Sequence, residues 1–165
     1  MLLPPLLDTV ILWIHLFTAV LFVGGSFFMW LVVMPASHLL TQDEGERTQM
    51  VGKMAKQFGR LTNPILVILV LSGVYNASWY LPSMNSILTT VGGQILLAKV
   101  IAVVVLVALI YAHNVYFGRK IVRFAREGRL EELKAIRRRS RVVSATNMAL
   151  MIVILFLAAM LQMPP

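Results

Sequence analysis

Residues 93–117, GQILLAKVIAVVVLVALIYAHNVYF, decide how this chain folds. Twenty-five residues with one lysine and one histidine among otherwise mostly apolar side chains exceed the roughly 20 residues, at 1.5 Å each, that a helix needs to cross a bilayer. Three further apolar runs reach that length, so the spans are expected at about 7–35, 62–81, 93–117 and 142–162. The 165 residues are 59% hydrophobic with a mean hydropathy of +0.82, well above what a soluble domain of this size carries. The expected fold is all-α: a transmembrane four-helix bundle forming one domain over residues 1–165.

No basic segment precedes the first run, and it extends about twice as far as an apolar signal core, so it reads as a retained span. Cysteine is absent, which removes disulfides and thiolate ligands and leaves His and Met as the side chains for soft or borderline metals. The net charge of +8 does not point to nucleic acid, because of where it sits. Arg47, Lys53, Lys56 and Arg60 fall between spans one and two, and ten more cations from Arg119 to Arg141 fall between spans three and four; only Lys99 is left over. The positive-inside rule makes those two loops cytoplasmic and puts both termini outside, in a multi-pass protein of the cytoplasmic membrane.

The first basic loop, with Met50, Met54 and Phe58 at helical spacing, reads as an interfacial helical extension. The second reads as helix interrupted at Gly128, with alternating charge from Arg129 to Arg138. Both are solvated, lipid-touching connectors by composition, with docking of a soluble partner as the alternative. Tyr75, Trp79 and Tyr80 read as an outer aromatic belt, and His38 as interfacial.

Ionisable groups inside spans are costly and tend to be functional, which singles out His15, Lys99 and His113. His15 lies about eight residues into span one and Lys99 about six into span three, so both are expected roughly 9–12 Å below the outer surface, where they could face each other. His113 is about 21 Å deeper on nearly the same face as Lys99, too far from His15 to share one metal ion with it. Near the outer pair fall Asp8, Asn76, Gln94, Met160, Gln162 and Met163; near His113 fall Met34, Asn63, Asn114, Asn147, Met148 and Met151. Gly24 and Gly25 allow close approach of a helix or a flat ligand. The plain readings are interhelical hydrogen bonding for either histidine, snorkelling of Lys99 to the head groups, and gap filling by each methionine.

The first helix, WIHLFTAVLFVGGSFFMWLVVMP, with LSGVY and GGQILLAKV further on, resembles the copper-resistance protein D (CopD) family: an early His, a Gly-Gly pair, a Pro near the helix end, a Ser-Gly segment and a Gly-to-Lys approach to the third helix. That resemblance implies copper handled across the cytoplasmic membrane, with an outer site of His15 and Met160 or Met163 and an inner site of His113 and Met148 or Met151. Lys99 would then have to be neutral or matched by a counter-ion such as Asp8. The chain is also similar, more weakly, to the HemJ-type protoporphyrinogen oxidases, through His15, Lys99 and AHNVYFGRKIVRFA. That similarity implies haem b, with His15 as axial ligand, Gly24 and Gly25 making room, and Lys99 pairing with a propionate or substrate carboxylate. An accessory subunit of a larger membrane complex, or a homo-oligomer, is the third reading. No hydrolase or transferase constellation stands in the spans, so a haem-based oxidoreductase is the one enzymatic possibility among these.

Overall fold

The computed structural model describes residues 5–80 and 86–161, apart from the side chains of residues 79, 80 and 86. Among them there is helix and no strand. Helix α1 (Pro5–Phe28) opens on a proline, whose missing N–H costs nothing at the first helical position, and carries Asp8 in its first turn against the positive helix end. A π-helical turn follows at Met29–Val33, then α2 (Met34–Leu40). Pro35 explains that turn: its ring crowds the carbonyl four residues back, and the ladder widens so that Met34 N–H bonds Met29 O instead.

Helix α3 (Glu44–Tyr80) is continuous through Pro64 for 37 residues, about 55 Å, nearly twice the hydrocarbon thickness. The first basic stretch is therefore a helical extension, continuous with the second span's own helix. One turn, α4 (Ser86–Thr89), precedes α5 (Val91–His113), which Thr90 caps by accepting Gly93 N–H at 3.0 Å. A second π-helical turn, Asn114–Gly118, leads into α6 (Arg119–Arg126). The chain reverses at Gly128, whose φ of +67° is open to glycine without steric cost, and Arg129 N–H closes on Phe124 O at 3.0 Å. Helix α7 (Leu130–Met160) then starts a dozen residues before the apolar run expected at about 142, because its charged first half shares one unbroken helix with the span.

Four helical stretches, Pro5–Leu40, Glu44–Ser78, Val91–Arg126 and Leu130–Met160, are long and apolar enough to cross a membrane. Span one packs most closely on span two and span three on span four, while α3 also meets α5 and α1 meets α7, closing an antiparallel ring. Only 11–17% of each apolar window is buried inside the bundle, so the remaining surface, Trp13, Phe17 and Val20 among it, is matched to lipid rather than water. Lipid tails supply no hydrophobic drive between helices, so close packing against small residues does much of the work. A Cβ on Gly25 would come within 2.8 Å of the Phe58 ring, and one on Gly73 within 3.0 Å of the His15 ring.

The centre of the bundle is a layer of one buried side chain from each span: Phe22, Leu66, Leu106 and Met151. At the basic end, Glu44 receives both Arg47 and Arg137, and Arg137 also donates to Thr48, fastening the start of α3 to α7.

Candidate functional site: two polar levels about an apolar layer

Seven residues outward from that layer, on each of the four helices, lie His15, Gly73, Lys99 and Ala158. Seven residues are close to two helical turns, so these positions share the inward azimuth of the core residues and sit about 10 Å above them. His15 and Lys99 stand at one level of the bundle, and the Lys99 ammonium lies within electrostatic reach of the imidazole.

His15 is held by span two. Its Nδ1 is 3.1 Å from Leu69 O and 3.0 Å from Ser72 Oγ. A carbonyl only accepts, and the Ser72 hydroxyl donates its own hydrogen to Ile68 O at 2.7 Å, so Nδ1 carries the proton. The bare lone pair is then on Nε2. An Nδ1–H bonded to a backbone carbonyl is the arrangement that orients histidine for ligation through its other nitrogen. Gly73 leaves the space the ring occupies. Within the hydrophobic run the Ser-Gly pair is the only sequence signal of this seat, and its partner is not readable from it.

Lys99 is half-buried, and no hydrogen bond or ion pair reaches it among the described residues. Asp8 makes no ion pair with it among the described residues, and its carboxylate accepts from Tyr75 Oη at 2.8 Å. Asn76, one turn outward from Ser72 and 7% exposed, has neither amide atom hydrogen-bonded. A buried amide with no partner costs on the order of 1–3 kcal/mol, so the outer level holds uncommitted polar capacity in three forms: a ring nitrogen, an ammonium and an amide. Gln94 is committed elsewhere, donating to Leu88 O at 2.9 Å. Met160 stands near this level at the outer end of α7, 38% exposed, while Gln162 and Met163 lie outside the described residues.

The inner level begins four residues inward from the layer with buried Ser26, Thr62 and Asn147. Ser26 and Thr62 donate back to their own helices, to Phe22 O at 2.7 Å and Phe58 O at 2.9 Å. His113 is at the last α-helical position before the second π turn, its ring 5.2 Å from that of Phe117. A 2.8 Å hydrogen bond joins its Nε2 to Ser140 Oγ across to α7. Ser140, within the run RRRSR, shows no sign in the sequence of being a partner. Met148 packs on the central layer, and Met151 is part of that layer, 2% exposed, rather than of the inner level.

The two glycines expected to accommodate a flat cofactor do not form a slot beside His15. Gly24 is exposed on the outward side of α1, and the space next to Gly25 is filled by Phe58. Among the described residues no group of three or more His, Asp or Glu side chains converges. His15 and His113 lie at different levels, separated by the central layer.

Fold and polar levels together define a polytopic four-helix protein of the membrane with ionisable groups in its interior. The family model for copper resistance protein D matches residues 52–161, and the chain belongs to that family. The matched stretch takes in Ser72, Gly73, Lys99, His113 and Met151, whereas the first span with His15 precedes it. No curated protein and no solved structure matches the chain. Family and helices together place it in the cytoplasmic membrane as a multi-pass protein.

Proposed function

We propose that this protein binds copper inside the bundle and passes it between the two polar levels, with His15 Nε2 as the outer ligand. The observation that carries the reading is the orientation of His15, whose Nδ1–H is engaged by Leu69 and Ser72 so that Nε2 is left to coordinate. The family's association with copper resistance supports the choice of metal. Imidazole and thioether suit copper, and Met160 outside and His113 with Met148 inside supply such groups. Met151 is the one sulfur among the four residues of the central layer, which lies about 10 Å by helical rise from the His15 and His113 positions, and a transfer step would run by it. Lys99 opposes a bare cation at His15, so it acts as a gate: while charged it weakens the outer site.

Copper loading of the purified protein followed by metal analysis tests this. Bound copper that His15→Ala abolishes is expected, and copper content indifferent to that substitution overturns it. The haem b reading has Lys99 in its favour, as a cation awaiting a carboxylate, but lacks the Gly24–Gly25 cradle it relied on. An absorption spectrum of protein from haem-replete cells, expected to show no Soret band, separates the two. The basic end of the bundle faces the cytoplasm in this proposal, and both termini face outward.

A further inference from the structure

Around the basic end four carboxylates are engaged in ion pairs, while Glu46 and Asp43, at the start of α3, accept hydrogen bonds from the Thr41 hydroxyl and Glu46 N–H respectively. Arg47 and Arg137 share Glu44, Arg123 and Arg129 share Glu127, and Glu132 and Glu131 are held by Arg129 and Lys134. Lys53 and Lys56 of α3 and Arg126 of α6 stand outside this pairing, with no carboxylate partner among the described residues. All three line one cavity of about 360 Å³ between α3 and α6, which Gly52, Val122 and Ala125 also line. A Cβ on Gly52 would meet nothing within 4 Å, so the cavity is open where that residue stands. Lys56 and Lys53 lie ten and thirteen residues from Leu66 in the central layer. That is about 15–20 Å from mid-bundle, where hydrocarbon gives way to head groups.

We infer that this cavity binds the phosphate of an anionic phospholipid from the adjoining leaflet. Three uncompensated cations meet the phosphate, and the Gly52, Val122 and Ala125 surface meets the glycerol and first methylenes. The apolar wall and the head-group depth favour a lipid over free phosphate. Nothing in this inference depends on copper.

Native mass spectrometry of the detergent-purified full chain tests it, with dioleoylphosphatidylglycerol or dioleoylphosphatidylcholine added. The anionic lipid is expected to be retained and the zwitterionic one lost. Replacing all three cations, Lys53→Gln, Lys56→Gln and Arg126→Gln, is expected to weaken retention on the order of 100-fold. Gly52→Phe keeps every charge and fills the cavity, and is expected to weaken retention too. Replacing Lys120, Lys134 and Arg139 by Gln removes the same charge elsewhere and is expected to change nothing. Equal loss in that control, or undiminished retention in Gly52→Phe, means attraction by bulk charge and overturns the site. Inorganic phosphate binding as tightly as the lipid overturns the lipid assignment.

Discussion

At the level of single residues, the seat of His15 combines a shared hydrogen bond with a missing side chain. Ser72→Ala leaves Leu69 O as the sole acceptor for Nδ1–H and is expected to cost about 0.5–1.5 kcal/mol, read as a lower midpoint in thermal unfolding in detergent. Gly73→Leu drives a branched side chain into the ring and is expected to lower copper retention more than Ser72→Ala does, by displacing Nε2. Lys99→Met removes the like charge, and copper affinity is expected to rise in a metal titration; a fall instead would mean that the site takes an anionic group. The shared depth of His15 and Lys99 was legible because helical rise is constant and needs only residue counting. Ser72, Gly73 and Ser140 were not legible as partners, since contact across helices depends on which faces turn toward each other. Met151 was assigned to the inner level, and only the packing of the four helices shows it completing the central layer.

The helices themselves are punctuated at few points. Pro35 and Gly128 mark two of them and were visible in the sequence; the π turn after His113 has no proline to announce it. Gly128→Ala is expected to cost about 1 kcal/mol, since φ of +67° suits glycine, and to loosen the α6–α7 reversal as faster hydrogen exchange at residues 127–130. Beside that reversal, the hydrogen bonds from Arg123 and Arg129 hold the Glu127 carboxyl below the usual carboxylate range. A depressed folded-state pKa means the ion pairs support the turn above the ordinary carboxylate pKa and lose that contribution as pH falls through the lowered one. Protection of the same amides, taken relative to their intrinsic exchange rate at each pH, should therefore hold steady near neutrality and fall only under acid conditions, and Glu127→Gln should remove the dependence. Arg137 joins two helices whose numbering is far apart, a tie that local pattern reading has no means to find.

For the molecule as a whole, the absence of cysteine makes sidedness directly measurable. Single cysteines at Gln42 and Lys134 are expected to react with a membrane-impermeant maleimide only from the cytoplasmic side, and one at Thr89 only from outside; the reverse pattern would invert the proposed transfer path. Hydropathy and charge placement by themselves determined that there are four spanning helices and which ends carry the cations. A bilayer demands about 20 apolar residues with every backbone group bonded internally, and that requirement is written along the chain. Only the tertiary structure decided that Phe22, Leu66, Leu106 and Met151 form one layer between two polar levels. It also decided that His15 is held by span two through Nδ1, that Gly25 is closed by Phe58, and that Lys53, Lys56 and Arg126 line one cavity. Each of these depends on the rotation and offset of one helix against another, and a nearly uniform apolar surface leaves both unspecified until the small residues and the large ones they admit have met.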